Sequence, residues 1–117
     1  MNNIIRISTL SLFLFIISLS ASAQKSKATA TFWVGGVCEM CEKRIEKIMD
    51  TKGVINADYN LDNHQLTLVF NPKKISLDQI HQKLNEVGHD TAKSTASDEQ
   101  YGKIHGCCKY REHEHNH

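Results

Sequence analysis

The sequence predicts an α+β domain of β-α-β-β-α-β order, a two-layer sandwich with both helices on one face of the sheet. Three observations carry that expectation. Short segments alternate apolar and polar residues at the period of a strand. Two longer segments repeat apolar residues at the period of a helix. Breaks at Gly35-Gly36, Gly53, Asn71-Pro72 and Gly88 separate them in the right order.

Ala28–Val34 reads as the first strand, with Ala30, Phe32 and Val34 on one face and Thr31 and Trp33 on the other. Cys41–Lys52 reads as a helix whose apolar stripe is Ile45, Ile48 and Met49, with Gly53 suited to its C-terminal stop. Ile55–Leu61 alternates, setting Ile55, Ala57, Tyr59 and Leu61 on one side, before an Asp62-Asn63 turn. Gln65–Phe70 aligns Leu66, Leu68 and Phe70. Ser76 and Gln79 form a capping box for a second helix with the stripe Leu77, Ile80, Leu84 and Val87. Thr91–Thr95 is a short, weakly apolar candidate for the last strand. A split β-α-β topology places the first strand in the middle of the sheet. Phe32, Leu68 and Phe70 then pack beneath Ile45, Ile48, Leu77, Ile80 and Leu84. Trp33 falls on the uncovered face near Val69, a covered sheet residue or a docking spot.

The chain has 117 residues, four Cys and seven His. Its first 23 residues carry one charge, Arg6, an apolar run over Ile7–Leu19 and the A-x-A site Ala21-Ser22-Ala23. That layout is expected of a signal peptide cleaved after Ala23, and it directs the protein to a periplasm. The residues beyond hold 13 basic and 13 acidic side chains, a balance that argues against a nucleic-acid binder. Their number allows one small domain at 28–95 and a Cys/His-rich extension at 96–117, with no second core. No side chains form a convincing acid–base or nucleophile–base pair, so an enzyme is not expected.

The chemistry concentrates in Gly36-Val37-Cys38-Glu39-Met40-Cys41, where a strand hands over to a helix. This spacing brings both sulfurs to the first helical turn, facing unsatisfied N–H groups and the positive end of the helix dipole. Those groups favour thiolate over thiol, and two thiolates are a soft ligand pair. Cu(I) is the first expectation, its charge offset by the helix N-terminus, Lys43 and Arg44. Hg(II) also accepts two thiolates, while Zn(II) needs further donors. A disulfide and a thioredoxin-like redox pair compete with metal binding. The redox reading is weakened because Pro72 is the sole proline and the element order differs.

These residues resemble the heavy-metal-associated domain, the family of copper chaperones, metal-pumping ATPase modules and the periplasmic mercuric-ion binding protein. The resemblance spans about Ala28–Thr95 and rests on the strand–C-x-x-C–helix junction, Gly53-Val54, Asn71-Pro72 and Val87-Gly88-His89. It implies a ferredoxin-like fold, with Cys38 and Cys41 as the metal ligands. One departure is a loop one residue shorter than the family's G-M-T-C, with Val37 standing where Met would pack.

Other donors are secondary candidates. His89 follows the second helix beside the metal loop; it is a solvated loop residue, a supporting group or a third ligand. His64 and His81 read as turn and helix-surface residues without a role. In the extension, Ser97 and Gln100 offer another capping box for a short helical turn carrying Tyr101 and Ile104. Cys107 and Cys108, with His105 nearby, supply a second soft-metal site, fold back to the first, or form structural disulfides. His113, His115 and His117 alternate in a charged tail, either a weak metal-capturing tract or a solvated end. The expected function is a monomeric exported carrier, open to a metal-bridged dimer, that hands its ion by thiolate exchange to a membrane transporter or efflux component. A thiol-disulfide partner and a metal-responsive adaptor are the alternatives.

Overall fold

The computed structural model describes residues 26–113. The expected export segment, and His115 and His117, lie outside the described residues, as does the side chain of His113. Strand β1 (Ala28–Trp33), helix α1 (Glu39–Met49), β2 (Val54–Asn60), β3 (Gln65–Phe70) and helix α2 (Leu77–Glu86) follow one another in the predicted order. The chain then makes a short helix α3 (Asp98–Gly102), a 3₁₀ turn at Gly106–Cys108 and a final helical turn α4 (Tyr110–His113).

The sheet is antiparallel in the order β1-β3-β2, with Ala30 opposite Leu68 and Phe32 opposite Leu66. The predicted last strand contracts to one bridge, Thr91 with Val34. Even so, Gly35 N–H donates to the Asp90 carbonyl at 2.9 Å and Ala92 N–H to the Trp33 carbonyl at 3.0 Å. Only the Val34 end of β1 therefore has neighbours on both sides, β3 and the 90–92 segment. Along the rest of its length β1 is the edge of the three-stranded sheet and β3 holds the middle, so the central place expected of the first strand is reached at that end alone. Thr91–Thr95 offers almost no apolar face to bury, so little favours extending the ladder. His81 contributes instead. Predicted on the helix surface, it is buried, packs tilted against Phe32 with ring centroids 4.3 Å apart, and sits 2.6 Å from Thr91 Oγ1 through Nδ1.

Both helices cover one sheet face, with Ile45, Met49, Ile80 and Leu84 fully buried on Leu66, Leu68 and Phe70. Two predicted core positions fall outside. Leu77 opens α2 and is 38% exposed, and its place is taken by Ile75 just before the helix. Ile55 is 52% exposed because the β2–β3 register shifts between Val54 and Asn56. Such a bulge reverses the side-chain alternation upstream of it, so Val54 joins Ala57 and Tyr59 on the core. Trp33 lies opposite Gln65, and Val69 is at the far end of the ladder, opposite Thr29. The capping box forms as expected: Gln79 N–H donates to Ser76 Oγ, and Ser76 N–H donates to Gln79 Oε1. Gly53 and Gly88 adopt φ of +100° and +93°, the left-handed stops that L side chains resist.

The extension is not a detached tail. Ile104, Cys108 and Tyr110 bury against Cys41, with Val37, Cys38 and Tyr101 at the margin, forming a second small cluster around the C-x-x-C loop.

Candidate metal centre

Gly35-Gly36-Val37 carries the chain from β1 to Cys38, which is the N-cap of α1 in extended conformation. Its carbonyl accepts from Cys41 N–H at 3.0 Å and Glu42 N–H at 3.1 Å, which starts the helix. No side chain caps the start of the helix, and the backbone of Met40 and Cys41 hydrogen-bonds to the Cys38 sulfur. The loop is held tightly from below. A Cβ on Gly36 would lie 2.8 Å from Tyr59 Oη and 3.1 Å from Cys41 Cβ, and Tyr59 Oη donates to the Val34 carbonyl at 2.7 Å. Val37 packs against the second cluster.

Three sulfurs converge there. Cys38 Sγ lies 3.5 Å from Cys41 Sγ and 3.1 Å from Cys108 Sγ, and all three sit within 4.8 Å of one another. All are free thiols; Cys41 and Cys108 are buried and Cys38 is half-buried. Cys107 stays at the exposed rim, 4.0 Å from Cys38 Sγ and 3.5 Å from Met40 Sδ.

Residues 109–111 anchor Cys108. Tyr110 Oη donates to the Gly88 carbonyl at 2.7 Å and accepts from Asp90 N–H at 2.8 Å. Its ring stacks on His89 at 5.6 Å and meets Tyr101 edge-on at 5.2 Å. Gly35 is what admits that ring, because a Cβ there would fall 2.4 Å from Tyr110 Cε2. Arg111 forks onto Asp90, Nε to Oδ2 at 3.0 Å and Nη2 to Oδ1 at 2.8 Å, and Nη2 also donates to the Ala96 carbonyl at 2.7 Å. The guanidinium lies 4.2 Å above the Tyr101 ring, a cation–π contact.

The electrostatics distinguish the sulfurs. Burial pushes the Cys38 thiol up, but hydrogen bonds from the Cys108 thiol, from Cys41 and from the Met40 backbone outweigh it and bring it down to about 7. Burial pushes Cys108 up to about 11, aided by its hydrogen bonds to Cys38 and Cys41 and opposed by Arg44. The two shifts run in opposite directions across the 3.1 Å contact between Cys38 Sγ and Cys108 Sγ. Arg44 supplies the local positive charge, its Nη2 lying 3.9 Å from Cys108 Sγ, whereas Lys43 is exposed.

Of the other predicted donors, His89 is fully buried rather than a solvated loop residue. Its Nδ1 meets the Gly35 carbonyl at 2.7 Å and its Nε2 lies 3.3 Å from Arg44 Nη1. The carbonyl accepts and the guanidinium donates, so the ring is neutral with its proton on Nδ1. Burial is the main reason its pKa falls to about 4. Both nitrogens are engaged, and the ring orients Arg44 and the loop rather than pointing a free lone pair at the sulfurs. His105 is exposed, and its carbonyl accepts from Cys108 N–H at 2.8 Å. Sequence reasoning passed over Met40 and the Tyr110–Arg111 anchor. The thioether between the two Cys, and aromatic residues spaced through an otherwise charged tail, were the available signals.

Comparison with known proteins matches this geometry. Residues 31–90 match the family described as Heavy-metal-associated domain. A copper-exporting P-type ATPase of Staphylococcus saprophyticus is 36% identical over 58 residues, which is 49% of this chain and 7% of the ATPase. The solved N-terminal domain of a potential copper-translocating P-type ATPase from Bacillus subtilis, in its Cu(I)-loaded state, is 30% identical. It aligns with 56% of this chain and 84% of its own, at a TM-score of 0.54. A CopZ metallochaperone is 25% identical over 56% of this chain and 100% of its own, at a TM-score of 0.53. With its strand-to-helix C-x-x-C corner and ferredoxin-like sandwich, the chain belongs to the heavy-metal-associated domain family.

Proposed function

We propose that the protein is a soft-metal carrier that binds one Cu(I), or alternatively Hg(II), through Cys38 and Cys41. In this reading the chain is exported, its signal peptide is removed after Ala23, and it passes the ion to a membrane transporter or efflux component. The observation that carries it is the pair of unbridged thiols 3.5 Å apart at the uncapped N-terminus of α1. Copper takes precedence because the two similar proteins at 30% identity or more described above are named for copper.

The carrier chemistry follows from the donors. Cys38, with a pKa near 7, supplies a thiolate at neutral pH without a separate base. Its half-exposed sulfur is the accessible one, while Cys41 is buried behind it. Transfer is an exchange of ligands: an incoming thiolate forms a bond to the ion as one protein sulfur leaves, and the freed thiolate takes a proton from solvent. No electron moves. The helix dipole and Arg44 offset the negative charge left by two thiolates on Cu(I).

Native mass spectrometry of the reduced protein titrated with Cu(I), Hg(II) and Zn(II) tests this. One Cu(I) per chain is expected, abolished when Cys38 and Cys41 are both replaced by Ser. Negligible retention of Cu(I) and Hg(II) together with reduction of insulin disulfides would overturn the carrier in favour of a redox protein.

A further inference from the structure

We propose that the C-terminal segment supplies Cys108 as a third sulfur ligand, so that the ion sits in a trigonal site closed by a clasp of the chain's own tail. The inference rests on the carrier reading and adds to it the ligand number and the means of release.

Position comes first. Cys108 Sγ is nearer to Cys38 than Cys41 is, at 3.1 Å against 3.5 Å, although 70 residues separate the two in sequence. A soft-metal–sulfur bond is about 2.3 Å, the zinc–thiolate value, so three sulfurs around one ion stand roughly 4 Å apart, and two in a linear arrangement stand roughly 4.6 Å apart. The Cys38–Cys41 pair is closer to the trigonal spacing, and an ion need only spread the group by under about an ångström.

Burial and anchoring point the same way. Cys108 has no exposed surface, and a buried thiol without a role would ordinarily sit among apolar side chains. This one is aimed at two other sulfurs and a guanidinium. The residues next to it spend two Tyr110 hydrogen bonds, the Arg111–Asp90 fork and the Arg111–Tyr101 stack on holding that position. Its neighbour Cys107 is exposed: its sulfur lies 4.0 Å from Cys38 Sγ and 3.9 Å from Cys108 Sγ, but outside the mutually close group of three. Arg44 is placed for the extra charge, since three thiolates on Cu(I) leave one more negative charge than two.

The consequence is a site with two coordination numbers. With the tail docked, three sulfurs retain the ion. An incoming thiolate bonds to the ion as the Cys108–metal bond breaks, and Cys108 departs as thiolate and is reprotonated from solvent. Release is therefore gated by undocking of the 105–111 segment.

X-ray absorption of the Cu(I)-loaded, reduced protein counts the sulfurs. Wild type and Cys107→Ser should show three and Cys108→Ser two. Extraction of Cu(I) by a competing soluble thiol should be at least about tenfold faster in Cys108→Ser, since even partners behind the ligands are worth ten- to a hundredfold in affinity. Gly35→Ala, which retains every sulfur but leaves no room for the Tyr110 ring, should also read two, and serves if Cys108→Ser fails to fold. Two sulfurs in wild type, with extraction unchanged by Cys108→Ser, overturns the clasp and leaves the carrier standing. Loss of the third sulfur in Cys107→Ser instead overturns the assignment to Cys108. Failure of wild type to retain Cu(I) at all brings down the carrier reading as well.

Discussion

Tyr110→Phe isolates the polar part of the tail anchor. The phenol is fully buried, and its oxygen joins two backbone groups: the Gly88 carbonyl at 2.7 Å and Asp90 N–H at 2.8 Å. Phenylalanine keeps the ring over Gly35 and its packing against His89 and Tyr101, so no cavity larger than one oxygen forms. What changes is that an acceptor and a donor lose their partner in a dry place. A stranded buried backbone group costs about 1–3 kcal/mol; with modest relaxation, the two together cost about 2–4 kcal/mol. If the tail opens separately from the sandwich, this loss appears in local opening rather than in global unfolding. Hydrogen exchange at the Asp90 amide should then accelerate by roughly 30- to 700-fold, at about 1.4 kcal/mol per factor of ten. If the tail and sandwich unfold together, the same loss appears in the urea midpoint followed by Trp33 fluorescence. Exchange at Asp90 within threefold of wild type, with global stability unchanged within about 0.5 kcal/mol, would refute the anchor.

Further outcomes follow from the same contacts. Gly35→Ala places a methyl where the Tyr110 ring lies, so limited trypsin digestion should cut at Lys109 or Arg111 faster than in wild type while the sandwich stays intact; equal cutting rates would count against the close approach. Ile45→Ala should cost about 2–5 kcal/mol in urea unfolding, because its side chain is completely enclosed, whereas Leu77→Ala should cost much less at a 38%-exposed position. Equal losses would mean that the helix faces are wrongly placed. Acid titration of stability should report His89: its folded pKa, near 4, lies below the ordinary 6.5, so the unfolded chain binds the proton first. Its contribution is intact above pH 6.5 and is lost as pH falls from there towards 4, a total of about 3 kcal/mol. His89→Gln should flatten that segment of the stability–pH curve, and an unchanged slope would assign it to other groups.

The sandwich was legible because its elements are periodic and locally punctuated. Leu66, Leu68 and Phe70 alternate without interruption, and the Ser76–Gln79 box and Gly88 bracket α2 within the chain itself. Legibility failed where long-range geometry overrode local pattern. Ile55 continues the alternation of β2 perfectly well as text, but a bulge against β3 turns it outward, and nothing in its neighbours announces the bulge. The 90–92 segment pairs with β1 through two backbone hydrogen bonds, which do not depend on side-chain type. His81 and His89 look like surface histidines because their partners, Phe32, Thr91, Gly35 and Arg44, are remote in sequence. The C-x-x-C pair was readable since both sulfurs come from one helical turn. The third sulfur arrives from 70 residues away, carried by a segment whose charged composition resembles a solvated end.

Clasp and ion are coupled by thermodynamic necessity. An ion that binds the docked tail more tightly than the undocked one stabilises docking, and docking strengthens retention by the same factor. A hundredfold preference corresponds to about 2.7 kcal/mol, the same size as the loss expected from removing the Tyr110 oxygen. If the clasp forms, changes at Tyr110, Arg111 or Asp90, none of which bears sulfur, should shift the ion's affinity. A much stronger anchor would hold the third sulfur in place against any incoming thiolate and turn a carrier into a store. A much weaker one would leave Cys108 free in solution and reduce the site to the ordinary pair. The Arg111–Asp90 fork is only partly shielded from water, with side-chain exposures of 26% and 15%, so its attraction is moderated by solvent and salt.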